Sequence, residues 1–280
     1  SQWAPVYGQA TYEILPDLKA TAGLRWTTEK QKIYGSLRNQ LTNVITPVPT
    51  QEQSFQKLTW RASLDYAFSK DVHAYVSANR GTKSGGYVLV NPPAPGFAPE
   101  LLDAYEVGLK SEQCDRHVRF NIAGFFYNYK NVQVTSTINQ NGTVVTVINN
   151  AAAAHLKGID ADFEVRPVSN LSITGGFVVL DSHYTNYKNA LAFNASRTAT
   201  GPFVAGQIYN GSPVVAIPGG SFSIDATGNR LAYNAKFTGN LAATYTIPSS
   251  IGRFRISGNL FYSASYHPDP DNRIVIPSRT

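Results

Sequence analysis

Leu18-Lys19-Ala20-Thr21-Ala22-Gly23-Leu24-Arg25-Trp26-Thr27-Thr28-Glu29 is the stretch that decides the fold. Successive strand side chains point to opposite faces, so Leu18, Ala20, Ala22, Leu24 and Trp26 share one surface. Lys19, Thr21, Gly23, Arg25, Thr27 and Glu29 share the other. An apolar face backed by a charged, wet one, repeated strand after strand, is the requirement of a transmembrane β-barrel with lipid outside and water or protein inside.

The alternation recurs over Val6–Ile14, Phe55–Phe68, Val72–Arg80, Asp103–Glu112, Val118–Tyr129, Leu156–Arg166, Leu171–Tyr184, Phe237–Ile247 and Phe254–Tyr262. In Phe55–Phe68, for instance, Leu58, Trp60, Ala62, Leu64, Tyr66 and Phe68 fall on the lipid side, and Lys57, Arg61 and Asp65 fall inside. This predicts an all-β, antiparallel barrel segment of about ten strands, or eleven with one near Ile274. Turn-forming residues at Leu15–Asp17, Phe68–Asp71, Gln113–Arg116, Arg166–Asn170 and Pro248–Gly252 make tight junctions. Long excursions alternate with them: Tyr34 to Ser54, Lys83 to Glu100, Lys130 to Asn150, Asn186 to Arg230, and one opening at His267. Short periplasmic turns and long extracellular loops are the asymmetry of outer-membrane barrels, and it gives each strand a direction. A barrel must close, since an open edge leaves unpaired backbone groups in lipid, so residues 1–280 are expected to be one part of a larger barrel.

Composition agrees. No run approaches the roughly 18–20 apolar residues of a membrane-spanning helix. The mean hydropathy of −0.20 is what alternating lipid-facing and lumen-facing residues average to. Sixteen Tyr, fourteen Phe and three Trp suit strands and interfacial girdles. The +6 net charge is spread along the strands instead of gathered into a patch, which argues against nucleic acid. One cysteine, Cys114, excludes an intramolecular disulfide framework. A soluble sandwich or solenoid also alternates, but strands of about 10–14 residues suit a membrane better than the five or six usual in globular sheets.

Catalytic and metal chemistry find little support. Arg80–Gly86 places its lysine before the glycine pair and opens no helix, so it is not a phosphate-cradling loop. The five histidines form no zinc spacing. His267-Pro268-Asp269-Pro270-Asp271 offers oxygen ligands for a cation or, more simply, a solvated turn. No Ser-His-Asp set or Gly-x-Ser-x-Gly elbow is legible, so no catalytic residue, metal ligand or cofactor is assigned.

Several ordered segments resemble the barrel of TonB-dependent outer-membrane receptors. They are Asn79-Arg80-Gly81-Thr82-Lys83-Ser84-Gly85-Gly86-Tyr87, Phe97-Ala98-Pro99-Glu100 and Ala104-Tyr105-Glu106-Val107-Gly108-Leu109-Lys110-Ser111. Asn121–Gln133, Asn149–Ala154 with Lys157–Asp160, and Gly228–Leu231 through Asn234–Thr238 follow in order. The resemblance implies a partial 22-stranded-type barrel in a bacterial outer membrane, with signal peptide, TonB box and plug domain absent from this chain. It implies energised uptake of a scarce nutrient, a ferric siderophore first, with a glycan or vitamin next. Its implied partners are outer-membrane lipid, the receptor's own plug and the TonB-ExbB-ExbD complex. A passive porin or adhesin barrel is the competing class.

Two residue sets follow. Arg25, Glu29, Arg61, Asp65, Lys83, Glu106, Lys110, Arg119, Asp160, Asp162, Glu164 and Arg166 fall on expected lumen faces. They suit either contact with a plug or cross-strand ion pairing within the wall. Arg80, Lys83, Tyr87, Tyr127, Tyr129, Tyr184, Tyr187 and Tyr266 lie at outward strand ends or in loops, suited to an anionic chelate, or, for the tyrosines, to an interfacial girdle.

Overall fold

The structure, a computed structural model, describes residues 2–88, 95–140, 143–193, 202–217 and 221–280. Its strands are β1 (Gln2–Leu15), β2 (Leu18–Arg38), β3 (Ile45–Ser69), β4 (Val72–Lys83), β5 (Glu100–Gln113), β6 (Val118–Gln140), β7 (Thr143–Val168) and β8 (Leu171–Asn186). The short β9 (Ala190–Phe193), β10 (Ile208–Tyr209), β11 (Ser212–Pro213), β12 (Val215–Ile217) and β13 (Ser221–Ile224) precede β14 (Phe237–Ser249) and β15 (Gly252–Ser263). Ten strands form one sheet in the order β1-β2-β3-β4-β5-β6-β7-β8-β14-β15, and every described pairing within it is antiparallel. The sheet is an open wall, the shape of a barrel fragment.

Directly opposed residues of an antiparallel pair share a face. One transverse row reads Leu18, Tyr66, Ala74, Leu109, Ile122, Ala161, Phe177, Gly239, Tyr262. Following this apolar face up from the short turns, the first charges reached are Lys30, Arg80, Asp103, Lys130, Lys157 and Asp181. They come about ten residues on, which at about 3.3 Å per residue and a tilt near 45° is roughly 25 Å, the height of a barrel's lipid band.

The strands run longer than the alternation predicts. Residues 34–54 and 130–150, expected as loops, are mostly continuations of β2–β3 and β6–β7, paired down to Arg38↔Ile45 and Gln140↔Thr143. On β2–β3 polar residues on both faces hid the extension, since a hairpin standing in water has no apolar side to mark its period, whereas on β6–β7 Val132 and Val134 do alternate and pack against the loop core. The strand considered near Ile274 is two isolated bridges, Tyr266↔Ile276 and Ser263↔Arg279. Among the described residues, the excursion after β8 is the one loop with a core of its own. Its small sheets pack Tyr187, Ala190, Ala192, Phe203, Val214, Ile224 and Ala226 against Ala152, Ala154 and Tyr184 of the wall.

Candidate functional site

The inward face is traced by the row Lys19, Asp65, Tyr75, Gly108, Ala123, Asp160, Val178. Alternation from that row places Arg25, Glu29, Arg61, Glu106, Lys110, Arg119, Asp162 and Glu164 on the same surface. Arg166 joins them through its bridge to Glu164 at 2.6 Å, and Arg119 meets the same carboxylate at 3.2 Å.

The segment Tyr105–Lys110 acquires a physical reading here. Glu106 and Lys110 point inward on either side of Gly108, which leaves a slot between them. The Tyr75 ring lies across that slot so closely that a Cβ at Gly108 would sit 2.5 Å from it. Tyr75 donates its hydroxyl proton to Glu106, and Lys110 sits 5.2 Å from the ring centroid. Tyr105 points the other way and stacks on Phe126. Beside this unit, Asn121 donates to Asp162 at 2.9 Å, and Phe125 and Tyr127 pack at 4.8 Å. Tyr75, Glu106, Lys110, Asn121, Tyr127, Asp160 and Asp162 line a recess of about 420 Å³.

The inward wall is electrically divided. On β2–β4 it carries Lys19, Arg25, Lys57, Arg61 and Lys83 against Glu29 and Asp65. On β5–β7 Lys110, Arg119 and Arg166 are outnumbered by Glu100, Glu106, Glu112, Asp160, Asp162 and Glu164. In the positive half, Arg25, Glu29, Lys57, Thr59 and Ser84 line a second recess of about 360 Å³. Lys57 Nζ is enclosed there, 4.6 Å from the Phe55 ring centroid, with no hydrogen-bond partner among the described residues.

The outward mouth is stapled by residues of the recurring segments. Gly86 and Phe97 exchange backbone hydrogen bonds at 3.0 and 2.8 Å. A Cβ on Gly85 would lie 2.3 Å from the Phe97 carbonyl oxygen and 2.7 Å from the Phe55 ring, so this glycine serves close packing. Glu100 accepts from the Gln133 amide at 3.0 Å. Asn150 accepts from the Ala98 amide and donates to the Ala98 carbonyl, both at 2.6 Å. Asn229 donates to Tyr209 and to the Pro270 carbonyl at 2.8 and 2.7 Å. Asn272 accepts from the Arg230 amide at 2.8 Å and donates to its carbonyl at 2.9 Å. These bonds tie the loop after β8 to the last segment of the chain.

Two carboxylates in these loops feel opposite environments. Burial pushes the Asp225 carboxyl up, but hydrogen bonds from Thr227 and Ser212 outweigh it and hold the group below the usual carboxylate range. Asp269 is raised by burial and by the neighbouring charge of Asp271.

The family model for the TonB-dependent receptor-like β-barrel matches residues 1–280. The chain belongs to the TonB-dependent receptor family. As a barrel of that family it lies in the bacterial outer membrane. Solved structures agree on the fold. The ferric yersiniabactin uptake receptor FyuA from Yersinia pestis superposes with a TM-score of 0.74 at 16% identity, over 99% of this chain and 36% of that one. The siderophore receptor PiuA from Acinetobacter baumannii gives 0.71 at 18%, over 99% and 35%. The copper transporter OprC gives 0.61 at 10%, over 99% and 36%. This receptor barrel segment thus spans about a third of the length of the solved chains it matches.

Within the receptor wall, the expected ligand contacts separate into five groups. Tyr127 is on the inward face, opposite Ala104 and Leu156. Lys83 ends β4 opposite Glu100, and Tyr87 lies against Gly96 in the following loop. Tyr129, Tyr184 and Tyr187 enter the loop core: Tyr187 is 1% exposed and packs 4.9 Å from Tyr184. Tyr266 stands apart, 6.2 Å from Tyr233. Arg80 is on the outward face, opposite Trp60 and Asp103. Its guanidinium grips Asp103 at 2.6 and 2.8 Å, with Lys130 on the same carboxylate at 3.3 Å. The structure does not bring Arg80 to Tyr127. The residue absent from the expected set is Lys57, whose inward parity beside Phe55 was the signal for it. Among the described residues no three His, Cys, Asp or Glu side chains converge as metal ligands. In the run from His267, His267 Nδ1 meets the Ile274 carbonyl at 2.9 Å, and Asp271 accepts from the Arg273 amide at 3.0 Å.

Proposed function

We propose that this segment supplies wall and binding vestibule to a receptor for energised uptake of a scarce, anionic nutrient, a ferric siderophore being the favoured class. The observation that carries the reading is the enclosed ammonium of Lys57, which has no hydrogen-bond partner among the described residues and shares its recess with Arg25 and the single carboxylate of Glu29. A cation held away from water without an acceptor is costly, and an anionic chelate or an acidic plug side chain would offset that cost. The acidic half, with Glu106, Asp160 and Asp162, is then the plug-facing surface. The named cargoes of FyuA and PiuA support the chelate class, while OprC shows that the same wall also serves a copper transporter. Cargo movement would draw on the TonB complex acting through the plug, so the segment has wall and vestibule roles only, and no enzymatic one.

The test is binding of radiolabelled ferric chelates to cells expressing the full-length receptor. Lys57→Ala with Arg25→Ala should weaken binding roughly ten-fold or more, the scale of a lost charged hydrogen bond. Glu106→Gln should leave affinity unchanged. Unchanged binding in the double variant would sink the assignment of this recess. Growth on a glycan with no response to iron chelates would shift the cargo to the glycan or vitamin class.

A further inference from the structure

The wall splits above Trp60↔Arg80. There the ladder between β3 and β4 stops, while β2–β3 continues to Arg38↔Ile45 and β4–β5 to Lys83↔Glu100. The Ala67 amide donates to the Asp17 carbonyl at 2.8 Å, so Ala67 turns its backbone polar groups toward β2. Alternate residues of a paired strand turn theirs to opposite neighbours, which aims those of Gln56, Ser54 and Glu52 at the β4 side. Among the described residues no strand pairs with them there.

An open edge is a template for another chain, and proteins cover it or blunt it. This wall does both elsewhere. Above its last pair with β14, β8 is covered by the segment that returns to the wall: Leu180 donates to the Lys236 carbonyl and Tyr184 to the Asn229 carbonyl, both at 2.9 Å. On β6 the Gln133 amide is taken by Glu100 at 3.0 Å. Nearer its own tip, β3 is blunted by Pro47 and Pro49. Between Gln51 and Thr59 it has neither device among the described residues. A lysine can guard an edge by standing in water, but the Lys57 ammonium is enclosed. It lies in the recess of about 360 Å³ that Thr59 of β3 and Gly81 and Thr82 of β4 help to line.

Edge and recess adjoin, since Lys57 follows Gln56 in the chain, and together they define a ligand. The edge suits an extended backbone of amide donors and acceptors, and the recess suits an anion. Glu29 is already engaged there, accepting from Gln31 at 2.6 Å and from Ser84. The flanking charges have the same sign balance: Lys30 and Lys32 share the one carboxylate of Glu52. A second copy of this hairpin would bring the same cations together, so it is not the occupant. We infer, on the uptake reading of the Lys57 recess, that the anionic cargo is peptidic: an extended peptide segment adds to β3 beside Gln56 and Ser54, and its carboxylate reaches Lys57 and Arg25. In strand addition of this kind main-chain hydrogen bonds supply affinity, and a pocket for a side chain supplies selectivity.

Radiolabelled binding to the full-length receptor tests this with three ferric probes. They are a trishydroxamate chelate carrying a linear acidic pentapeptide arm, the same chelate with the arm's amide nitrogens methylated, and ferric citrate. The armed chelate should bind most tightly, and methylation should weaken it about ten- to thirty-fold, the scale of two lost hydrogen bonds. Hydrogen exchange at Ser54 and Gln56 should slow when the armed chelate binds and stay unchanged with ferric citrate. Gln56→Pro removes an amide that faces no paired strand, so the barrel should fold, as heat-modifiable migration on gels verifies, and only the armed chelate should bind more weakly. The methylated probe needs no variant at all. Equal affinity of the methylated chelate, or unchanged exchange at Ser54 and Gln56, overturns the strand addition, while Lys57-dependent capture of ferric citrate would keep the uptake reading. If Lys57→Ala with Arg25→Ala leaves all three probes unaffected, the uptake reading fails and the peptidic cargo fails with it.

Discussion

The hairpins β2–β3 and β6–β7 rise beyond the lipid band by the same antiparallel pairing, yet one stands nearly bare and the other is rooted in a core. On the first, Tyr34, Leu37, Val44 and Ile45 are exposed and Leu41 at the tip is 95% exposed; Val48 is its buried apolar residue. On the second, Val147, Ala152 and Ala154 are buried, the alanines beneath the loop that follows β8. A two-stranded ribbon in water is marginal by itself, so its order depends on what packs against it. The mouth of this wall thus has a firm side over β6–β8 and a pliant side over β2–β3. The positive recess, which includes Arg25, Lys57 and Ser84, is lined by the strands of the pliant side.

Removing the core should break this contrast most sharply. Tyr187→Ala deletes a fully buried ring that packs on Tyr184, and truncating a buried aromatic typically costs about 3–5 kcal/mol. Hydrogen exchange should accelerate across residues 184–192 and 221–230, with residues 30–53 unchanged. Equal acceleration in both hairpins would mean that the two sides of the mouth fold as one unit.

Asn150→Ala is the next largest effect. It removes three bonds at one exposed site, to both backbone groups of Ala98 and, at 2.9 Å, to the Asn131 carbonyl, so about 1–2 kcal/mol should be lost. The corresponding bond on the first hairpin, from Gln53 to Gln31 at 2.9 Å, is part-buried but single. Gln53→Ala should therefore loosen its hairpin less than Asn150→Ala loosens residues 95–100, as read by exchange at each site. A larger effect from Gln53→Ala would reverse the ranking of the two sides.

Legibility in the sequence follows the same division. Strands such as Leu18–Glu29 and Leu156–Arg166 were readable because lipid and water impose a period of two, and the tight turns between them set direction. Residues 30–38 and 45–54 were not, because water on both faces removes that signal. Inward parity was readable for Glu106 and Lys110, but the reason for Gly108 was not. That glycine answers to the Tyr75 ring on the neighbouring strand, a contact across 33 residues of chain. Tyr184 and Tyr187 read as surface aromatics for a similar reason: the residues that bury them, such as Phe203, Val214 and Ile224, come from a loop with no period of its own. Arg80 fell at a strand end, where a single residue of parity separates the vestibule from the lipid surface.

Acid should sharpen the comparison modestly. Asp225 is held below the usual carboxylate range in the folded loop, so its contribution is complete above about pH 4, the unfolded value, and lost as pH falls through its folded pKa. Asp269 is raised, so it works the other way, favouring the fold most below about pH 4 and losing that contribution as pH rises through its folded value. Above about pH 4 only the Asp269 contribution changes with pH; below it the loss at Asp225 is the one that grows. Exchange at residues 221–228, corrected for its intrinsic pH dependence, should rise below pH 4, and Asp225→Asn should flatten that rise. A rise that persists in the variant would assign the acid sensitivity to another group.

The smallest effect is expected at the bare tip, and it is the most discriminating about what the first hairpin is for. Leu41→Ser replaces an almost fully exposed side chain, so nothing packed is lost and stability should change by less than about 0.5 kcal/mol. The turn geometry survives the exchange because it is made by other atoms. Asn39 accepts from the Leu41 and Thr42 amides at 2.9 and 3.2 Å, the Asn39 amide donates to the Val44 carbonyl at 2.9 Å, and Asn43 holds the left-handed position. An unchanged melting temperature together with unchanged uptake by cells would make the tip a simple spacer between β2 and β3. An unchanged melting temperature with reduced uptake would show that the apolar tip meets something during transport, and that the pliant side of the mouth has the more direct role in it.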